Sequence, residues 1–214
     1  MRRFFGGISS KISSATRLVV VLCSLCVLAL AAKEFVKPAA KPARTYPAHD
    51  EHSNEAVAVG VDPYDSADKT QIFSVKWNEE GFLPIYVVVT NDSDQPISLG
   101  SMQAQLITSR RDKLSAATDD DLYRRLAHIS TGRVNPLPFP RTKVKGAVSK
   151  KARDEIDGAQ FSAMAVEPHS TQAGFMFFDV SGIPSPLSGA RFYLTGLRDA
   201  KGGELLYFEI QFEK

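Results

Sequence analysis

The stretch PHSTQAGFMFFDV, residues Pro168–Val180, decides the fold that the sequence predicts. Its first three residues have the composition of a turn. Gly174 has no Cβ, so another segment of backbone can approach it closely. From Phe175 to Phe178 every side chain is apolar, and neighbouring strand residues point to opposite faces. The stretch therefore predicts a turn that leads into a strand buried on both of its faces.

Short strand patterns recur on both sides of this stretch. PIYVVVTN (Pro84–Asn91) is apolar on both faces, whereas the side chains of IFSVKWN (residues 72–78) alternate between apolar and polar. In the last pattern, Leu206, Phe208 and Ile210 fall on one apolar face. Strands at this spacing predict a mostly β, antiparallel sandwich of about seven to eight strands. The candidate strands lie at about residues 57–61, 72–78, 84–91, 101–106, 160–166, 172–180, 190–196 and 204–213.

One inserted helix is predicted, at about residues 119–130. Thr118, followed three residues later by Asp121, matches the capping box, in which each side chain bonds the other residue's backbone N–H. The apolar side chains of Leu122, Leu126 and Ile129 follow along one helical stripe. Since this stripe must be buried, we expect the helix to pack on the outer face of a sheet.

A consequence is expected for the adjacent residues Phe177 and Phe178. One ring should face the core between the sheets, and the other should face outward, because the two side chains point to opposite sides of the strand. The helix or the long loop after it should cover the outward ring. Both rings are then expected to be buried.

The residues that follow the helix, at about 131–158, are predicted to form a long basic loop. A loop of this length is usually functional or mobile. Its cations are a candidate contact for a polyanion or a partner, and the alternative is an ordinary solvated surface. These candidate residues are Arg141, Lys143, Lys145, Lys150, Lys151 and Arg153.

The N-terminal residues 1–32 have the layout of an export signal. A basic segment, Met1–Arg17, precedes the apolar run Leu18–Ala32, and Ala29-Leu30-Ala31 fits a cleavage site. Both a cleaved signal peptide and an uncleaved membrane anchor fit this pattern. The sequence therefore predicts a cell-envelope protein with its body outside the cytoplasm. The body is inner-membrane anchored through a single span, or periplasmic or secreted after cleavage.

Residues 33–55 are predicted to be a flexible linker, because they mix Pro, Ala and charged residues without apolar periodicity. The folded domain is then expected to span residues 56–214. The two cysteines, Cys23 and Cys26, both lie in the leader, so the body must be stable without disulfides.

The distribution of charge argues against a nucleic-acid partner. The whole chain has a formal net charge of +2. The leader alone contributes Arg2, Arg3, Lys11 and Arg17 and no acidic residue, which leaves the remainder slightly acidic. Nucleic-acid-binding domains usually carry a strong basic field.

No catalytic or cofactor-binding motif is found in the sequence. A Gly-rich phosphate loop, a His-Glu-x-x-His zinc motif and a Gly-x-Ser-x-Gly elbow are all absent. We therefore predict no catalytic residue, metal ligand or cofactor. Two alternatives remain open: a sandwich-fold enzyme acting on envelope polymers, and a metal-handling protein that holds copper(I) with Met164, His169 and Met176.

The pieces VVVTNDSDQPISL (residues 87–99) and VEPHSTQAGFMFFDV (residues 166–180) resemble the Ig-like β-sandwich domains of unknown function found in bacterial cell-envelope proteins. The resemblance covers residues 56–214 without the helix and the basic loop. It implies an Ig-like sandwich, and it brings no catalytic residues with it. The Cys–Trp–Cys core of antibody domains is missing. The expected function is a protein-binding or structural module whose partner is an unidentified envelope protein.

Overall fold

The computed structural model describes residues 35–130 and 148–212, except for the side chains of residues 128–130. Within these ranges the helices are α1 (Ala67–Thr70), α2 (Asp119–Ser130) and α3 (Lys150–Ala159), and a 3₁₀ turn spans Ala43–Thr45. The strands are β1 (Ala48–His52), β2 (Val57–Pro63), β3 (Phe82–Asn91), β4 (Ile97–Ser98), β5 (Gln103–Ile107), β6 (Lys113–Ser115), β7 (Ala165–Val166), β8 (Ser170–Asp179), β9 (Arg191–Thr195) and β10 (Phe208–Gln211).

Two four-stranded sheets form the body of the protein. The first sheet has the order β1-β2-β3-β8 and the second has the order β10-β9-β5-β6, while β4 and β7 form a small separate pair. Every pair of neighbouring strands is antiparallel. The predicted mostly β, antiparallel sandwich architecture is therefore confirmed.

The central strand β3 is buried along its whole length. Pro84 is its third residue, although a proline removes one hydrogen-bond donor from a sheet. The Pro84 carbonyl accepts a hydrogen bond from the Tyr64 N–H at 2.8 Å, just beyond Pro63, the last residue of β2. The side of Pro84 that lacks an N–H therefore faces the residue after the end of β2. No hydrogen bond between β2 and β3 is lost there.

The first hydrophobic core fills the space between the two sheets. Alternate residues of β2 and β3 face it from the first sheet, and alternate residues of β5, β9 and β10 face it from the second. This alternation is the period-two pattern of a strand that contributes one face to a core. Its largest buried members are Leu83, Ile85, Ile97, Leu99, Leu106, Phe178, Leu187, Phe192, Leu194, Leu197, Phe208, Ile210 and Phe212.

A second hydrophobic core lies on the outer face of the first sheet. Here Tyr86, Phe175 and Phe177 are buried beneath α2, α3 and the segments before β1 and after β2. As predicted, Phe177 and Phe178 are both buried, at 1% and 0% exposure, on opposite faces of β8. The covering side chains include Ala43, Tyr64, Trp77, Leu122, Ile156 and Ala159.

The predicted helix is confirmed as α2, and so is its cap. The Asp121 N–H donates to Thr118 Oγ1 at 3.3 Å, and the Thr118 N–H donates to Asp121 Oδ2 at 3.1 Å. Leu122 is fully buried in the second core and Leu126 packs against it. Ile129, the third member of the predicted stripe, lies outside the described side chains.

The prediction of a flexible linker at residues 33–55 is wrong for the described residues 35–55. Residues 35–47, which we call the strap, lie on the outer face of the first sheet, and β1 follows as an edge strand paired with β2. The Ala43 N–H donates a buried hydrogen bond to Thr90 Oγ1 at 2.8 Å. A Cβ at Gly60 would lie 2.6 Å from the Ala43 carbonyl oxygen, so glycine is what lets the strap approach. The compact domain begins at Phe35 rather than at residue 56.

The predicted basic loop at 131–158 is wrong in its last third, because residues 150–159 form α3. Ser149 caps this helix by accepting the Ala152 N–H at 3.2 Å. Ala152, Ile156 and Ala159 form a buried stripe with helical spacing. Residues 131–147 lie outside the described residues.

Three predicted strands are also absent or shorter than expected. Residues 72–78 form turns, residues 160–166 contribute the two-residue strand β7, and the last strand begins at Phe208. At residues 72–78 the Glu155 carboxylate of α3 accepts the backbone N–H groups of Ser74 and Val75, at 2.6 and 3.2 Å. These bonds satisfy the two backbone N–H groups that would otherwise have paired with a neighbouring strand. Among the described residues, no helix has the length and apolar character needed to cross a bilayer.

Candidate partner-binding surface

Within residues 35–130 and 148–212, the outer face of the second sheet is the one whose side chains stay exposed or half-exposed. Its side chains belong to alternate residues of β5, β9 and β10, and they are exposed or half-exposed, whereas their neighbours in sequence are buried. We call this surface the open face. It contrasts with the outer face of the first sheet, which the strap, α2 and α3 cover. The open face carries Gln103, Gln105, Ile107, Arg191, Tyr193, Thr195, Glu209 and Gln211.

Two adjacent apolar side chains are exposed just before β10. Leu206 is 66% exposed and Tyr207 is 55% exposed. The Tyr207 ring stacks on the ring of Tyr193, with centroids 5.8 Å apart and an interplanar angle of 21°. We call Tyr193, Leu206 and Tyr207 the aromatic patch. Tyrosine rings offer a large amphipathic contact area at a small cost in conformational entropy.

Tyr193 occupies the middle of a row across the open face. It lies opposite Gln105 on β5 and Glu209 on β10. A hydrogen bond to Glu209 raises the pKa of the Tyr193 hydroxyl, and partial desolvation acts in the same direction. Arg191 pairs with Glu209 at 2.9 Å. The open face therefore carries positively and negatively charged side chains next to each other, and it does not carry charges of a single sign.

The loop that leads into the aromatic patch is held by hydrogen bonds. The Asp199 side chain accepts the N–H groups of Lys201 and Gly203 at 2.8 and 2.7 Å. The Leu205 N–H donates to the Leu197 carbonyl at 2.9 Å, and the Arg198 guanidinium donates to the Gly202 carbonyl at 3.0 Å. These bonds fix the backbone from which Leu206 and Tyr207 project.

Carboxylates from the first sheet hold the other side of this segment. Glu55 Oε1 accepts the Leu206 N–H and Asp50 Oδ2 accepts the Glu209 N–H, each at 3.0 Å. Between them His52 stacks on Phe208, with ring centroids 4.1 Å apart, and its Nδ1 lies 2.9 Å from Glu55 Oε2. This cluster, which we call the clasp, joins β1 to β10 and satisfies edge donors that would otherwise be free.

The sequence placed Leu206 on the inward face with Phe208 and Ile210, and this prediction is wrong. Strand pairing with β9 starts at Phe208, so the period-two rule does not extend back to Leu206. Glu55 directs the Leu206 N–H toward the first sheet, and the side chain points to solvent. The clasp depends on contacts between residues about 150 positions apart, which no local pattern reveals.

The predicted basic contact residues are only partly described. Lys150, Lys151 and Arg153 are exposed on the first turns of α3. Lys150 Nζ lies 2.7 Å from Asp154 Oδ2. The other three predicted cations, Arg141, Lys143 and Lys145, lie outside the described residues.

The three side chains of the copper(I) alternative do not come together. Met176 lies in β8 and packs against the core between the sheets, while His169 precedes the first residue of that strand. Seven residues of extended chain separate them by roughly 20 Å. His169 Nε2 lies 2.9 Å from Asp94 Oδ1 instead, and Met164 is 67% exposed elsewhere. Within the described residues, no three His, Cys, Asp or Glu side chains are grouped as metal ligands.

Sequence reasoning missed a buried carboxylate. Glu155 is 2% exposed, and its oxygens accept hydrogen bonds from the Trp77 indole at 3.0 Å, from the Ser74 hydroxyl and from two backbone N–H groups. Buried charge is tolerated when several donors compensate for lost water. These donors come from one segment, residues 74–77, so Glu155 fastens α3 to that segment.

Comparisons with known proteins do not supply a family. No family model matches the chain, and no curated protein matches it. Among solved structures, the X-ray structure of the Northeast Structural Genomics Consortium target SoR45 is similar at 9% sequence identity, with a TM-score of 0.32. The match covers 74% of this chain and 88% of that chain.

Proposed function

We propose that this chain is an exported or membrane-tethered module of the cell envelope that binds a protein partner. The observation that carries the proposal is the aromatic patch, where Leu206 and Tyr207 are exposed together on a hydrogen-bonded backbone. Exposed apolar side chains rimmed by polar ones are typical of interaction sites, and tyrosine is enriched in them. A fixed backbone lowers the ordering cost of binding.

The location and the finer fold assignment belong to the same proposal. The basic segment and apolar run of residues 1–32 support export. The two packed antiparallel sheets support an Ig-like domain, a class that commonly presents faces and loops to protein partners. The mixed charges of the open face favour a protein over a nucleic acid. The proposal assigns the chain no catalytic activity and no cofactor.

Capture from solubilised envelopes tests the binding surface. Residues 35–214 serve as the bait, and Leu206→Ser combined with Tyr207→Ser removes the patch. We expect the wild-type bait to retain a protein that the double variant loses. Met164→Ser is the matched control, because Met164 is equally exposed but lies next to the small β4–β7 pair. Equal capture by the wild type and the double variant would exclude the patch as the binding site.

A reporter fused after Lys214 tests export. An enzyme that is active only outside the cytoplasm should be active in this fusion, and deletion of residues 1–32 should abolish that activity. Activity of a reporter that works only in the cytoplasm would contradict the proposal. N-terminal sequencing of the mature protein then distinguishes a cleaved signal from an anchor.

A further inference from the structure

The strap fixes the point at which the folded domain begins. Phe35 stacks on Phe73, with centroids 5.5 Å apart, and meets Phe175 edge-on at 6.4 Å. Its ring lies 3.7 Å from the position that a Cβ of Gly158 would occupy on α3. Pro38, three residues later, is held by a 2.6 Å hydrogen bond from the Tyr86 hydroxyl to its carbonyl oxygen. No flexible spacer follows Phe35.

The apolar run of the leader ends at Ala32, three residues before this point. Three extended residues span at most about 11 Å. We propose that the surface around Val36 lies against the outer surface of a lipid bilayer. This inference rests on the membrane-anchored form of the proposed function, in which Leu18–Ala32 remains in the membrane.

The chemistry of this surface suits a lipid boundary. Val36 is 74% exposed, which is the highest exposure among the large apolar side chains described. Lys37, the next residue, and Lys41 are also exposed on the strap. Lys151 lies seven residues from Gly158 along α3, or about 11 Å from the site that Phe35 contacts. An apolar side chain flanked by lysines fits the boundary between acyl chains and anionic headgroups.

Two carboxylates on α3 moderate this positive charge. Asp154 pairs with Lys150 at 2.7 Å, and Asp157 accepts a hydrogen bond from the Tyr123 hydroxyl at 2.8 Å. Charge attraction to lipid is therefore modest. The short covalent connection, rather than electrostatic attraction, is what holds this surface at the membrane.

Fluorescence quenching in the full-length chain tests the inference. The leader cysteines are replaced by Cys23→Ala and Cys26→Ala, which leaves a chain without cysteine. One label is attached through Val36→Cys and a matched label through Gln211→Cys, because Gln211 is exposed on the open face, on the far side of both sheets. The chain is reconstituted in vesicles of phosphatidylethanolamine and phosphatidylglycerol that contain a nitroxide-labelled lipid.

We expect the label at position 36 to lose most of its fluorescence and the label at position 211 to lose almost none. Insertion of a long Gly-Ser segment between Glu34 and Phe35 should restore the fluorescence at position 36. Equal quenching at both positions, or quenching that survives the insertion, would overturn the inference. Failure of the chain to float with vesicles would also overturn it. That failure would leave the partner-binding proposal standing, because capture by the aromatic patch needs no anchor.

Discussion

Phe177 and Phe178 are adjacent in β8, yet they belong to two different hydrophobic cores. The Phe178 ring meets Phe192 of the second sheet edge-on, with centroids 6.1 Å apart. The Phe177 ring packs on Trp77, with centroids 4.8 Å apart, on the opposite face of the strand. The strand β8 therefore connects the core between the sheets with the core beneath the helices.

Truncation of either ring should destabilise the protein strongly. We expect Phe177→Ala and Phe178→Ala each to lower the free energy of unfolding by about 3–5 kcal/mol, because each leaves a cavity in a close-packed core. A domain of this size has about 5–15 kcal/mol in total, so the double variant should not fold. Denaturant melts measure both effects, with Gln211→Ala at an exposed site as the control. An unchanged melt for either single variant would contradict the burial described.

The start of the domain can be tested by truncation. A fragment of residues 35–214 should unfold cooperatively, whereas residues 56–214 should melt at a lower temperature or aggregate. The shorter fragment loses the strap and β1, which uncovers Tyr86 and Phe175 and removes the carboxylate of Asp50 from the edge of β10. Calorimetry of both fragments with and without chelator provides the comparison. Equal stability would mean that residues 35–55 contribute nothing to the fold.

Glu155→Gln should destabilise α3 against the segment it holds. Glutamine keeps the volume, but its amide group places a donor opposite groups that are themselves donors, Ser74 N–H and Trp77 Nε1. Leaving a buried donor unsatisfied costs about 1–3 kcal/mol. Asp154→Asn, at an exposed site on the same helix, is the control and should change stability by less than about 1 kcal/mol. Equal effects of the two substitutions would argue against the buried network.

Alkaline pH should weaken the packing of the strap against the first sheet. Burial raises the pKa of Tyr64 and of Tyr86 from 10 to about 12, and neighbouring Asp62 adds to the effect at Tyr64. The unfolded chain then loses these phenolic protons at lower pH than the folded protein. Stability from these groups is complete below pH 10 and is lost as the pH rises toward 12.

Equilibrium melts across this pH range, combined with tyrosinate absorbance, measure the effect. Tyr64→Phe with Tyr86→Phe should flatten the loss of stability between pH 10 and 12, since neither replacement can ionise. An equally steep loss in the double variant would show that other groups are responsible.

The successes of sequence reasoning concern features set by residues close together in the chain. Alternation within a strand placed Phe177 and Phe178 on opposite faces, and the spacing of Thr118 and Asp121 located the cap of α2. The failures concern features made by distant residues. The strap is held by the fit of Ala43 over Gly60, which leaves no apolar periodicity in the sequence.

The helix α3 escaped prediction for a related reason. Its buried stripe contains two alanines and Ile156, among charged residues that read as a polar loop. In the sequence, Glu155 cannot be distinguished from an exposed glutamate. Its burial depends on residues 74–77, which only the fold brings beside it. The exposed position of Leu206 likewise depends on Glu55, which lies 151 residues away in the chain.

The clasp has a consequence for the order of folding. Glu55 and Asp50, near the start of the domain, hold Leu206 and Glu209, near its end. No partial chain that emerges N-terminus first can complete this closure, and such long-range contacts are slow to form. If the chain is exported, the clasp can close only after the last strand has emerged. This late closure places completion of the sandwich after transit of the whole chain.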